Sequence, residues 1–135
     1  MKTYAAALAL SLAACGPAAA AGAIAFGSTG DIVTDGYSIG ISGGIDGDED
    51  ARDRAMQRCR ANGAKQSQSQ CEVLVVFHKH CAAEAQDPKP GTPGFGFALG
   101  ETEDSAKAVA MAICSASAGK SRRKSCEVVT SVCDK

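Results

Sequence analysis

Residues 51–73 read ARDRAMQRCRANGAKQSQSQCEV, and residues 106–128 read AKAVAMAICSASAGKSRRKSCEV. The second stretch repeats the first at a displacement of 55 positions. Ala51 falls on Ala106, Ala55 on Ala110, Met56 on Met111, Cys59 on Cys114, Ala61 on Ala116 and Lys65 on Lys120. Cys71-Glu72-Val73 falls on Cys126-Glu127-Val128. A cysteine pair held at one spacing inside such a match marks a duplicated structural unit. Within each copy the alanines at i and i+4 and the cysteine at i+8 share one face of a helix, with the cysteine at its end. Acids open both helices: Asp48-Glu49-Asp50 in the first copy, Glu103-Asp104 within Thr102–Ser105 in the second. There they favour the positive end of the helix dipole. A polar loop follows, then a strand, over 71–77 and 126–132.

Upstream, each copy has an alternating run that predicts a strand: Tyr37, Ile39, Ile41 and Phe95, Phe97, Leu99. Gly36-Tyr37-Ser38-Ile39 aligns with Gly94-Phe95-Gly96-Phe97 across a gap of about three residues. The first copy has an earlier apolar run, Gly22 to Phe26, predicted to pair with Tyr37–Ile41 as a hairpin. Gly30-Asp31 and Asp35-Gly36 supply its turn. Asp87-Pro88-Lys89-Pro90-Gly91 reads as a joint, because two prolines so close forbid regular structure. The expected fold class is α+β: two tandem copies of a strand–helix–strand unit packed as one small disulfide-stabilised domain. The first repeat covers 22–86, a linker 87–92 and the second repeat 93–135.

The chain has 135 residues and seven cysteines, at 15, 59, 71, 81, 114, 126 and 133. The first of them lies in a leader. Lys2 precedes a stretch from Tyr4 to Ala14 that is apolar apart from Ser11, too short to span a bilayer, and small residues follow. Residues 1–21 thus read as a secretory signal peptide. Two readings of its end stay open. Ala18-Ala19-Ala20 is a signal-peptidase site of the A-x-A kind. Leu12-Ala13-Ala14-Cys15 is a lipobox, in which Cys15 would carry a lipid that holds the protein on a membrane surface. Either reading removes Cys15 from the thiol pool.

Six cysteines then remain in a small exported chain, which reads as three disulfides. The favoured pairs are Cys59–Cys71 and Cys114–Cys126, each joining a helix end to the next strand's start. Cys81 and Cys133 are left for each other, tying the copies together. Cys81 has the strand parity of Cys71, whereas Cys133 has the parity opposite to Cys126. A bulge or strand end near His78–His80 is therefore expected.

The start Gly22-Ala23-Ile24-Ala25-Phe26, the doubled glycine–aromatic strand, the doubled helix ending in cysteine and the late Cys-Glu-Val-Val resemble a bacterial family called domain of unknown function 4189. The resemblance runs from Gly22 to Cys133. It implies a small exported α+β protein and brings no catalytic residues. The glycine-rich acidic insert at Gly43 to Gly47 and the histidines in Phe77-His78-Lys79-His80-Cys81 depart from the family's pattern.

Charge narrows the function. Without Lys2, 13 basic residues stand against 15 acidic ones, a balance that argues against nucleic acid as a partner. The best candidate for a site is His78 and His80 with Glu84 and Asp87, the metal set being His78, His80 and Glu84. Alternate strand residues face the same way, and a carboxylate would complete a zinc site. Asp46–Asp50 alternates acids like a calcium loop, but the sixth and twelfth positions are Ala51 and Gln57, so the pattern fails. Gly43–Gly47 before a helix lacks the Lys-Ser/Thr of a phosphate loop. Lys120-Ser121-Arg122-Arg123-Lys124 is a basic loop able to meet an acidic partner. No serine sits in a nucleophile elbow. The expectation is a non-enzymatic, disulfide-stapled interaction module without a cofactor, acting in the periplasm, on the outer envelope or outside the cell, with a protein as partner. Membrane contact would come only through Cys15, and the oligomeric state stays open. The rivals are a metal-dependent or hydrolytic module at His78 and His80, and a structural envelope lipoprotein.

Overall fold

The computed structural model describes residues 19–134. Cys15 and most of the 1–21 leader lie outside the described residues. Nine elements follow in order: β1 (Ala20–Ser28), β2 (Tyr37–Asp46), α1 (Asp48–Ala61), α2 (Lys65–Gln68), β3 (Glu72–Phe77), β4 (Cys81–Gln86), β5 (Phe95–Gly100), α3 (Glu103–Ser117) and β6 (Glu127–Cys133). They form two antiparallel three-stranded sheets, β2-β1-β3 and β5-β4-β6.

Strand alternation sorts the side chains into layers. In β1, Ala21, Ala23 and Ala25 turn toward α1 and pack on Ala51, Ala55 and Cys59. In β4, Cys81, Ala83 and Ala85 turn toward α3 and meet Ala106, Ala110 and Cys114. The opposite faces of the two sheets pack on each other, with Ile24, Ile41 and Phe77 of the first sheet against Ala82 and its neighbours Phe97, Leu99 and Val132 of the second. The order of layers is helix, sheet, sheet, helix. The buried larger side chains lie in the middle layer, and the buried residues of the two helix–sheet layers are alanine and cysteine, with Met56, Val73 and Met111 partly buried beside them.

That smallness lets backbones approach. A Cβ on Gly40 would lie 2.0 Å from the Ala55 carbonyl oxygen, and one on Gly96 would lie 2.5 Å from the Ala110 carbonyl oxygen. Gly40 and Gly96 are thus structural counterparts under the two helices. Ile39 corresponds to Phe95, a register two residues away from the one that aligns Tyr37 with Phe95. Both copies also carry the same bulge, skipping Leu74 in β3 and Val129 in β6.

Three features depart from the sequence expectation. First, β4 is a strand, and it is the central one of its sheet. Cys-Ala-Ala-Glu-Ala-Gln lacks the β-branched and aromatic residues that announce strands. Each copy keeps the expected strand–helix–strand unit, β2-α1-β3 and β5-α3-β6, and adds a strand before it. Second, 87–92 is not the joint: it lies in the turn between β4 and β5, as 29–36 does between β1 and β2. The copies meet at 78–80, where β3 ends and Lys79 takes a positive φ of 55°. Third, Cys81–Cys133 does not tie the copies together. The two residues face each other across β4 and β6, and both strands belong to the second sheet. The strand end at Phe77 settles the parity of Cys81. The remaining bonds, Cys59–Cys71 and Cys114–Cys126, each join a helix to the strand that follows it. Strand β1 also takes in Ala20 and Ala21, inside the segment read as leader, and Ala21 is fully buried.

Candidate functional site

His78 and His80 sit in the turn between β3 and β4, not on a strand, so the alternation that would aim both rings at one ion does not apply. His78 Nδ1 lies 3.1 Å from the Ala20 carbonyl oxygen, and its Nε2 lies 3.0 Å from Asp48 Oδ1. His80 Nδ1 lies 2.7 Å from the His78 carbonyl oxygen. The His80 backbone N–H donates to Asp134 Oδ1 at 2.8 Å, and the Asp134 N–H donates back to the His80 carbonyl at 3.1 Å. Glu84 stands three residues along β4, on the face toward the other sheet. The metal set His78, His80 and Glu84 is therefore not assembled. Among the described residues no three His, Cys, Asp or Glu side chains are placed to hold a metal ion.

Glu84 belongs to a different site. The turns 29–36 and 87–94 project from the same end of the two sheets and, with the α1–α2 connection, enclose a cleft of about 850 Å³. Tyr37, Glu84 and Gln86 lie at its floor. The Tyr37 hydroxyl donates to Gln86 Oε1 at 2.6 Å and lies 3.3 Å from Glu84 Oε1. Glu84 is only 6% exposed, and this burial pushes its carboxyl above the usual carboxylate range. Burial, then the nearby Glu84 charge, pushes the Tyr37 phenol up as well. The Tyr37 hydroxyl thus bridges Glu84 and Gln86. Aromatic rings from both sheets fix Tyr37 from behind, with its ring centroid 4.0 Å from that of Phe95 and 6.0 Å from that of Phe26.

The cleft's walls are braced by charge. Arg122 grips Asp87 with a two-pronged bond, Nη2 to Oδ1 at 2.6 Å and Nε to Oδ2. The guanidinium holds the Asp87 carboxyl down at about 2. The basic loop and the 87–92 turn are thus joined, and Arg122 is already engaged. Gly43 to Gly47 lies at the opposite end of the sheets, where Gly43 packs against the Cys133 backbone. At the cleft's rim Val33 is 44% exposed and Val129 41%.

The pairing of Tyr37 with Glu84 has no sequence signature, since 47 positions separate them and β4 was not read as a strand. It carries a pH prediction. With its carboxyl pushed up by burial, Glu84 keeps its proton to higher pH in the folded protein than in the unfolded chain. Stability contributed this way falls as pH rises through that window. Glu84→Gln keeps the hydrogen bonding and removes the titration. It is expected to raise the melting temperature at pH 7 and to flatten its decline above pH 4.5, as read by thermal denaturation across pH. An unchanged pH profile would contradict the upward shift of Glu84.

A family model described as Domain of unknown function (DUF4189) matches residues 21–133. No match was found among curated proteins, and none among solved structures.

Proposed function

The chain belongs to the DUF4189 family, and we propose that it is an exported, non-enzymatic binding module that receives a protein segment in the cleft above Tyr37 and Glu84. The observation that carries this reading is the form of the cleft. Its walls are turns held by the Arg122–Asp87 pair, its rim presents the exposed apolar side chains Val33 and Val129, and its floor is polar. Apolar side chains beside a few fixed polar groups supply contact area and orientation for a bound segment. A pre-braced cleft also lowers the ordering cost of binding. Export is supported by the three disulfides, which persist in oxidising compartments. Cys15, if lipidated, would add a membrane anchor without altering the cleft.

The test compares the wild-type protein with a Val33→Asp, Val129→Asp double variant as bait in envelope and culture-fluid fractions. Both residues are exposed, so the variant folds. The expected result is a protein recovered by the wild type and lost at least tenfold with the variant. Equal recovery by both baits would refute the cleft as the binding surface. A hydrolytic activity abolished by Glu84→Gln would overturn the non-enzymatic reading.

A further inference from the structure

The duplication provides an internal control for each surface of the protein. On the solvent side of α1 stand Asp53, Arg54, Gln57 and Arg58, all exposed. Their counterparts on α3 are Ala108, Val109, Ala112 and Ile113, also exposed, and Ala116 extends the stripe. Val109 is 46% exposed and Ile113 43%. Two helices with the same role on their own sheets thus differ on the outer face, where packing within the unit places no demand. Charged residues are the ordinary solution for such a face, and α1 adopts it.

We infer that α3 docks on α3 of a second copy of this chain, antiparallel and about a twofold axis. Charge decides the occupant. The N-terminal turn of α3 carries Asp104 and Glu103, the latter already paired with Lys107 of the same helix. Beyond its C-terminus the exposed Lys120, Arg123 and Lys124 follow, and the Ser115 hydroxyl donates to the Arg123 carbonyl at 2.9 Å, which holds that loop against the last turns of the helix. The surface therefore runs from acidic through apolar to basic. Reversing one copy against another sets each acidic end on the partner's basic end, with the uncharged stripe between. A twofold contact needs this self-complementarity. The alanines at every fourth position allow the two backbones to approach closely. An anionic membrane fits less well: the stripe lacks the Trp, Phe and Leu of interfacial helices, and the acids at its start would be repelled.

The helix has 15 residues and is about 22 Å long. Such a contact is smaller than the ~800 Å² per partner of standard stable complexes, so the dimer is a weak one with a dissociation constant on the order of 10 μM. Sedimentation velocity on the exported, disulfide-intact protein over roughly 1–200 μM brackets that constant and is expected to show monomer passing to dimer. Ile113→Arg is expected to weaken association at least tenfold with an unchanged melting temperature, since the residue is exposed. Asp104→Lys is expected to weaken it about threefold to tenfold across the two symmetric contacts, and adding Lys124→Asp in the same chain to restore it. A wild-type monomer at every concentration overturns the inference, as does an Ile113→Arg variant that dimerises like the wild type. Ile113-dependent co-sedimentation with phosphatidylglycerol vesicles, without dimerisation in solution, would assign the face to a membrane instead.

Discussion

Replacing Gly40 with alanine is expected to cost about 3 kcal/mol or more, and Gly96→Ala a similar amount. The reason is backbone contact. A Cβ on Gly40 would stand 2.0 Å from the Ala55 carbonyl oxygen and 2.4 Å from the Cys59 amide nitrogen. Neither is the end of a side chain that could rotate away. Helix α1 would have to lift by more than an ångström. Its packing against Ala21, Ala23 and Ala25 would then open, because those short side chains leave no slack to follow it. Cys59, bonded to Cys71, would resist the movement. Gly119→Ala is the matched control: its φ is 76°, but nothing stands within 4 Å of the added carbon. That change costs only left-handed backbone strain, on the order of 1 kcal/mol. Thermal denaturation should place Gly40→Ala at least 10 °C below the wild type by the usual scaling, and Gly119→Ala only a few degrees below. Equal shifts for the two variants would refute the close-approach argument.

The same glycines show where sequence reasoning reaches and where it stops. The two long helices and five of the strands were readable because their apolar residues recur with the period of the element, whereas the short α2 lies in a stretch that reads as polar loop. The duplication was readable because cysteine and alanine spacings survive in both copies. The β4 strand was not, since alanine, glutamate and glutamine are chosen there by close helix approach and by the cleft, not by strand propensity. Losing β4 misplaced the joint between copies and put Glu84 beside the histidines. It also gave Cys81–Cys133 the wrong role while leaving the pair itself intact. The pairing of Tyr37 with Glu84 depends on which face of β4 meets the other sheet, and no local pattern encodes that. The contrast between the outer faces of α1 and α3 was present in the sequence but acquired meaning only once both faces were seen to be exposed.

Full reduction of the three disulfides is expected to unfold the domain at room temperature. The fully buried residues of the helix–sheet layers are alanine and cysteine, with larger side chains such as Met56, Val73 and Met111 only partly buried, and an alanine buries little apolar surface at about 25 cal/mol per Å². The middle layer supplies a modest number of larger side chains. Restriction of the unfolded chain by cross-links then carries an unusual share of the stability. In the chain-entropy model a bond closing a separation of 12 residues, as Cys59–Cys71 and Cys114–Cys126 do, contributes about 3 kcal/mol. Cys81–Cys133, at a separation of 52, contributes about 4 kcal/mol. Together these approach 10 kcal/mol, comparable with the 5–15 kcal/mol that typically separates folded from unfolded domains. The bonds should also rank by loop length. Cys81→Ala with Cys133→Ala should lower stability more than Cys59→Ala with Cys71→Ala, because each double variant replaces one buried and one half-buried cysteine and the two differ mainly in the loop released. Circular dichroism with and without reductant, and denaturant titration of the two variants, test both statements. A reduced protein that keeps its native spectrum would show that the alanine-lined layers hold the fold by packing alone.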